Sequence, residues 1–549
     1  MNDTRILFIV PPYVGYDSFM KPAFNDGVMK KKSGEYRNIV SDIPIGPLSL
    51  SAYVKKYADV EVRLIDFNVV IHKLEFFGYK SFSEMFNEIL SGKEFVDYDP
   101  SIICVSTLFT PAYRNMIDLG RVIRNLFPSA FITAGGGVPT NMHRHIFAES
   151  DCFDALCYGE GEKPLLGYIQ ASDKRGFLEA HPAWITKEKS ASMQLFQFDF
   201  VENLDDIPFL DYGIISIQDY RINSILSTYP FAKGKTHSMP IMASRGCTHH
   251  CCFCSSHTVH GRKMRYHSVS RVREDFERFK EQYETETIVF FDDHFMADRR
   301  RFFELIDVMN GLGLTAFFPS SLALYALDRK ALAALKSVGL NQIVLSIESG
   351  SDRVLKEVMH KPLNLSIVNR VITDCRELGL DTDANILIGL PGETKRDIED
   401  ARAFLKTVNA TWFRINIATP LVGSEMFATC VENDYLKGNY IDCDYKRAIV
   451  GTPEFTPEWL QEKVYAMNLE LNFVCNSDVR LGNYAKALQG FENAIRVKRD
   501  HALAYYYAAV CYEKLCEADK ADEYLATARA IVARDEFWRH YADTFNVPI

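Results

Sequence analysis

Ser244-Arg-Gly-Cys-Thr-His-His-Cys-Cys-Phe-Cys-Ser255 is the stretch that decides how this chain reads. Cys247, Cys251 and Cys254 form a C-x3-C-x2-C triplet, and the apolar run Met239-Pro-Ile-Met-Ala243 just before it reads as a buried strand. Three thiols on a loop leaving a strand are close enough to hold one object. Thiolates bind soft metals and iron–sulfur clusters. Three protein ligands on a cluster that takes four would leave one iron open to chemistry. Buried core cysteines are the bland alternative, but Cys247, Cys251, Cys252 and Cys254 beside His249 and His250 make a poor core pattern. Zinc competes for such ligands, although a zinc knuckle usually pairs C-x2-C with a distant second pair.

Working outward, the 549 residues with 47% hydrophobic content suffice for two or three globular domains. A net charge of −10 gives no basic footprint for nucleic acid. The apolar run at 6–10, ended by Pro11-Pro12, is too short for a signal-peptide core, and no stretch approaches the roughly 18 apolar residues of a membrane span. Thirteen cysteines without a secretion signal favour a reducing compartment. A cytoplasmic protein with no membrane span and no nucleic-acid partner is expected.

Ahead of the triplet, strand-like runs at 5–10, 60–66, 102–107, 130–137 and 155–158 alternate with helical patterns, one of them over 46–56. That alternation predicts an α/β, doubly wound domain over residues 1–190. Ligands of such sheets sit beyond the carboxyl ends of the strands. Ser106-Thr107, Gly135-Gly136-Gly137 and Gly159-Glu160-Gly-Glu162 fall there. No G-x-G-x-x-G is present, so a dinucleotide site is not supported. Residues 191–237 read as a linker.

After the triplet the alternation resumes. Ser268 reads as the N-cap of a helix to about residue 282. Strands are expected over 287–291, 315–318, 342–347, 383–389 and 412–417, and a helix over 328–338 closed by Gly339. With the run before the triplet, six such units predict a partial (β/α)6 barrel over 238–435. Polar residues follow its strands, where barrel enzymes keep their chemistry: Asp292-Asp293, Glu348-Ser349 and Gly389-Leu-Pro-Gly-Glu393. The bland readings are helix caps for Asp292, Asp293 and Ser349, and a local ion pair for Glu348. Arg262-Lys-Met-Arg265 reads as a solvated charge run. Residues 436–476 read as a helical connector and 477–549 as an α-helical repeat. The interval from Tyr484-Ala-Lys-Ala to Asp519-Lys-Ala-Asp is about one tetratricopeptide period. So few repeats are expected to lean on the barrel or on a partner; a plain helical cap on the barrel is the alternative.

With Phe253 before the third cysteine, the loop resembles that of the radical S-adenosylmethionine (SAM) superfamily. Pro44-Ile-Gly-Pro-Leu-Ser-Leu50, Leu64-Ile-Asp66, Val105-Ser-Thr107, Ala134-Gly-Gly-Gly-Val-Pro-Thr140 and Tyr158-Gly-Glu-Gly-Glu162 resemble, in order, the cobalamin-binding domain found ahead of radical SAM domains. The resemblance implies a Rossmann-like domain holding cobalamin on Pro12, Ser106, Thr107, Gly135, Gly136, Gly137, Gly159 and Glu160. It implies a [4Fe-4S] cluster on Cys247, Cys251 and Cys254, whose open iron chelates SAM, and SAM contacts from Phe253, Asp292, Asp293, Glu348, Ser349, Ile388 and Gly389. It gives Cys252 no role and assigns no side chain as catalytic. The D-x-H-x-x-G motif of histidine-ligated cobalamin proteins is absent from the first domain; Asp292-Asp-His-Phe-Met-Ala297 ends in alanine and lies in the second.

The implied function is reductive cleavage of SAM to a 5′-deoxyadenosyl radical and methylation of an unactivated carbon. Its partners would be a small-molecule or peptide substrate, an electron donor such as flavodoxin or ferredoxin, and a protein at the helical repeat. Radical cyclisation or rearrangement without methyl transfer is the alternative within this architecture. A cobalamin or SAM sensor signalling through the repeat is the alternative outside enzymes.

Overall fold

The computed structural model describes residues 4–23, 26–192, 195–222, 224–228, 237–320, 322–442 and 446–549. In the first domain β1 (Thr4–Val10) is followed by a small hairpin, β2 (Val28–Lys31) and β3 (Gly34–Arg37). Then come β4 (Val60–Asp66), β5 (Ile102–Ser106), β6 (Phe131–Gly135), β7 (Ala155–Cys157) and β8 (Trp184–Ile185). They form one sheet in the order β4-β1-β5-β6-β7-β8, parallel except for β8. Ile6 and Phe8 of β1 pack with Val54, Leu165 and Trp184 on one face. Leu7 and Ile9 pack with Phe67, Phe86 and Ile117 on the other. Burial on both faces is why this strand reads as an unbroken apolar run. β8 went unread because two residues carry no period.

The segment expected as a linker is packed where it is described. Leu204 and Ile207 share a small core with Tyr53, and Tyr212 and Tyr220 enter the core of the second domain. Short turns carry these residues, so their burial leaves no periodic trace. Residues 193–194, 223 and 229–236 of that segment lie outside the described residues.

The second domain opens with β9 (Ser238–Ile241), then β10 (Ser244–Arg245) and β11 (Arg265–Tyr266), a two-residue antiparallel ribbon that closes the base of the cysteine loop. β12 (Thr287–Phe290), β13 (Thr315–Phe317), β14 (Gln342–Glu348), β15 (Asp381–Ile388) and β16 (Trp412–Ile417) follow. The six parallel strands expected are present, but as two sheets, β9-β12-β13 and β14-β15-β16, rather than one continuous arc. A single parallel bridge, Leu322 to Leu345, spans the gap. Pro319, just past β13, has no N–H to donate, so the ladder stops there. Pro240 is tolerated because β9 is an outer strand of its sheet. Ser268 caps the helix Val269–Tyr283 by accepting the Arg271 N–H at 3.1 Å.

β16 leaves an open edge, and two asparagines close it. The Phe413 N–H donates to Asn472 Oδ1 and the Asn472 amide donates to the Phe413 carbonyl, both at 2.8 Å. Asn468 does the same for Ile415, at 3.3 and 2.8 Å. These side chains take the place of a further strand. Helices Tyr484–Val497, Ala502–Lys514, Ala518–Arg534 and Glu536–Thr544 then pack a core around Phe491, Leu503 and Trp538 that is continuous with Phe473 and with Trp412 of β16. The C-terminal helices thus lean on the barrel. Among the described residues, no helix is long and apolar enough to cross a membrane. Replacing Asn472 with Ala strands a buried N–H and a buried carbonyl of Phe413; a loss of about 2–4 kcal/mol is expected, read as a lowered denaturation midpoint of the cofactor-free protein.

Candidate active site

A cavity of about 1660 Å³ lies between the carboxyl edge of the first sheet and the mouth of the second domain. Ser106, Gly135, Gly136, Gly137, Gly159 and Glu160 line it from one side, Cys254 and Asp293 from the other. Its wall includes Phe8, Leu50, Cys104, Leu165 and Trp184, so it runs in beneath the sheet edge between strands and helices. Thr133 also lines it, and the Thr133 hydroxyl is buried with no partner among the described residues. A Cβ at Gly15 or Gly46, both on the wall, would meet no atom within 4 Å. Open glycine-bearing loops, an apolar recess and an unsatisfied hydroxyl fit a large ligand with flat ring faces and hydrogen-bonding groups at its rim, such as cobalamin. Gly136 has φ +106°, and a Cβ there would stand 2.5 Å from the Thr107 carbonyl, so only glycine lets the two loops lie this close.

Two of the residues expected to touch cobalamin do not reach this wall. Pro12 is buried, and its carbonyl accepts the Asn115 amide at 2.8 Å. Thr107 is fully buried and straps β5 to β6 through its N–H to the Gly135 carbonyl. A third, Glu160, has its carboxylate already engaged. Oε2 accepts from Arg245 and from Arg265 at 2.9 Å each; Oε1 meets Arg265 at 2.6 Å and His260 Nδ1 at 2.8 Å. Glu162 accepts from the other Arg245 nitrogen at 2.8 Å and from Ser49 at 2.6 Å. Burial pushes the Glu160 carboxyl up, but Arg245, His260 and Arg265 more than offset this and hold it well below the usual carboxylate range. Arg265 is therefore no part of a solvated charge run: it is 3% exposed. Its role lies in a tertiary pairing that charge patterning does not reveal.

In the cysteine loop, Cys247, Cys251 and Cys254 are half-buried, while Cys252 is buried in the core. The Cys252 N–H donates to the Met359 carbonyl, and its own carbonyl accepts from Met426, which fixes the loop from below. No three His, Cys, Asp or Glu side chains among the described residues gather closely enough to hold one metal ion. A cluster does not require that, because each thiolate binds a different iron, whereas tetrahedral zinc does. Asp292 and Asp293 part company. Asp292 accepts the Ala243 N–H at 3.1 Å and the Ser244 hydroxyl at 2.5 Å, tying β12 to the start of the loop. Burial pushes its carboxyl up to about 6. Asp293 lines the cavity, and Oδ2 is buried with no partner among the described residues, so it is the carboxylate available to a ligand's ammonium group.

At the other strand ends, Glu348 is held at φ +66° with Lys361 Nζ 3.4 Å from its carboxylate. Burial raises its carboxyl, opposed by Lys361. The Ser349 hydroxyl is fully buried and accepts the Ser351 N–H, a turn cap. Ile388 is wholly core. Gly389 has φ +98° and no room for a Cβ, which would lie 2.2 Å from Leu460. Ser349 and Ile388 expose no surface, Gly389 is buried, and none of the three lines the cavity. Phe253 packs against the core beside the loop.

Residues 41–169 match the B12 binding domain, and residues 241–405 match the Radical SAM superfamily. The chain carries a B12 binding domain and a radical SAM domain. An uncharacterized methyltransferase of Pyrococcus horikoshii is 26% identical over 339 residues, which span 62% of this chain and 71% of the relative. The cytidylyl-2-hydroxyethylphosphonate methyltransferase of Streptomyces wedmorensis is 26% identical over 410 residues, 68% of this chain and 75% of that one. The solved structure of the cobalamin-dependent S-adenosylmethionine radical enzyme OxsB, with aqua-cobalamin and S-adenosylmethionine bound, shares the fold at TM-score 0.59 and 13% identity, over 99% of this chain and 80% of that one.

Within the radical SAM domain, Lys361 and Glu393 escaped sequence reading. Lys361 leaves an irregular turn after β14 that has no period to flag it. Glu393 closed a motif whose glycines drew attention instead. Its Oε2 accepts the N–H of Gly389 at 2.6 Å and of Leu390 at 3.2 Å, and Oε1 is buried without a partner among the described residues.

Two outcomes are expected. Glu160→Gln leaves Arg245 and Arg265 buried and under-neutralised between the B12 binding and radical SAM domains; it should cost about 3–5 kcal/mol. Iron content and hydroxocobalamin binding should fall together, and loss of only one of them would contradict the clamp. For Glu393, burial pushes the carboxyl up to about 7 from an ordinary 4.5. The folded state keeps a proton that the unfolded chain gives up. Its contribution to stability is complete below pH 4.5 and is lost as pH rises through about 7. Glu393→Gln should therefore gain on the unsubstituted protein between roughly pH 5 and 8, by on the order of 1–3 kcal/mol. Urea unfolding of cofactor-free protein at both pH values checks this; a pH-independent difference would contradict it.

Proposed function

We propose that this chain is a cobalamin-dependent radical SAM enzyme that cleaves S-adenosylmethionine reductively and methylates an unactivated carbon. One observation carries the reading: a single cavity joins the glycine loops of the B12 binding domain to Cys254 and Asp293 of the radical SAM domain. Cys247, Cys251 and Cys254 would hold the [4Fe-4S] cluster, and Asp293 the ammonium group of SAM. Lys361, beside Glu348, would neutralise carboxylate charge at the same end of the site. Ser106 and Gly135 to Gly137 would seat the corrin. Bound cluster and SAM supply a carbon-radical-generating 5′-deoxyadenosyl group, and bound cobalamin supplies a transferable methyl group. The protein's part is to place these groups on one cavity and to keep water out with the apolar wall. The names of the Pyrococcus and Streptomyces relatives support methyl transfer as the outcome.

Such chemistry needs a one-electron donor, for which a flavodoxin or ferredoxin is the fitting class. The helices from Tyr484 to Thr544, which stand on β16, support a tetratricopeptide-like module that would take a protein partner. Anaerobic reconstitution followed by mass spectrometry of products tests the reading. The expected products with a methylatable substrate are 5′-deoxyadenosine and S-adenosylhomocysteine with a methylated carbon. Appearance of 5′-deoxyadenosine alone, with a rearranged substrate, would replace methylation by radical rearrangement. Cys254→Ser should abolish cleavage of SAM.

A further inference from the structure

A side-chain contact joins the cysteine loop to the turns after β12 and β13. His249 sits between Cys247 and Cys251, and its Nε2 lies 3.3 Å from Nε2 of His294. The Tyr325 hydroxyl is 2.9 Å from the first of these nitrogens and 2.6 Å from the second. Three separate segments meet here: the loop itself, the turn after β12, and the short turn Leu324–Ala326 after β13. The rings of His249 and Tyr325 stand perpendicular, with centroids 5.6 Å apart.

Proton counting orders this triad. A phenol has one proton, so Tyr325 donates to only one imidazole. The shorter contact makes His294 Nε2 the acceptor. His249 Nε2–H then donates to the phenol oxygen. His294 must carry its own proton on Nδ1, and that nitrogen is buried with no partner among the described residues. A histidine that is 9% exposed and half-satisfied is held there at a cost in desolvation. That cost is unexplained by core packing.

The loop around His249 has few other anchors. Thr248 and His250 are exposed. The His249 carbonyl accepts from Arg262, and the Cys247 N–H reaches the Gly261 carbonyl at 3.4 Å. The imidazole is thus a side-chain tether of the arch between the first two thiols, beside the Arg262 guanidinium.

We propose that Tyr325 and His294 are positioning residues for the iron–sulfur cluster, holding the Cys247–Cys251 arch through His249. The proposal rests on reading the triplet as cluster ligands. Groups that orient ligands in this way tune both the retention and the electronics of a metal centre. Tyr325→Phe keeps the ring and removes only the hydroxyl. Reconstituted Tyr325→Phe should lose iron to a ferrous chelator roughly 10-fold faster than the unsubstituted enzyme. Its cluster midpoint potential, followed by electron paramagnetic resonance, should also move. His294→Gln, which keeps a hydrogen-bonding side chain, should fall between the two. Tyr505→Phe, in the C-terminal helices, should change neither value. Iron loss and potential both unchanged in Tyr325→Phe and His294→Gln would overturn the proposal. If Mössbauer spectra of the unsubstituted reconstituted enzyme show no [4Fe-4S] cluster, the reading of the triplet itself fails, and the proposal with it.

Discussion

Arg245 on β10 and Arg265 on β11 bracket the cysteine loop, and both end on Glu160 of the other domain. Glu162 takes the remaining reach of Arg245. Burying such charges is expensive, and a pair of this kind adds little stability over well-packed apolar groups. What it supplies is direction. A guanidinium donates in a fixed fork, so only one docking of the two domains satisfies both arginines and His260 at the same carboxylate. The ribbon that closes the cysteine loop is thereby registered against the loop that follows β7. Glu160, Glu162 and Arg245 of this joint also line the large cavity.

Around this joint, acidic groups near the strand ends are divided between structure and ligand. Asp292 is spent on the backbone of Ala243 and the hydroxyl of Ser244, leaving Asp293 free on the cavity wall. Glu393 is spent on Gly389 and Leu390. Glu348 faces Lys361. The same division runs through the cysteines: Cys252 is core, and its neighbours are half-buried. Adjacent residues of identical type take opposite roles because the turns that begin there send successive side chains in different directions.

The elements were largely legible. β4 and β16 fall where period and composition put them, and Ser268 caps its helix as expected. The break between β13 and β14 was not, because a proline marks the end of one strand but says nothing of its neighbour. The packed segment around Tyr212 was missed for a related reason: burial without regular secondary structure leaves no periodic pattern.

By itself, the sequence determined the thiol triplet, the two α/β units, and the glycine loops at the strand ends. Each of these is local, set by spacing and backbone conformation within a few residues. Tertiary structure alone decided which carboxylate is free, that Arg265 is buried, and that His249 meets His294 and Tyr325. Those depend on contacts between residues tens to more than a hundred positions apart, where pairing energy is set by burial and geometry that no local pattern encodes.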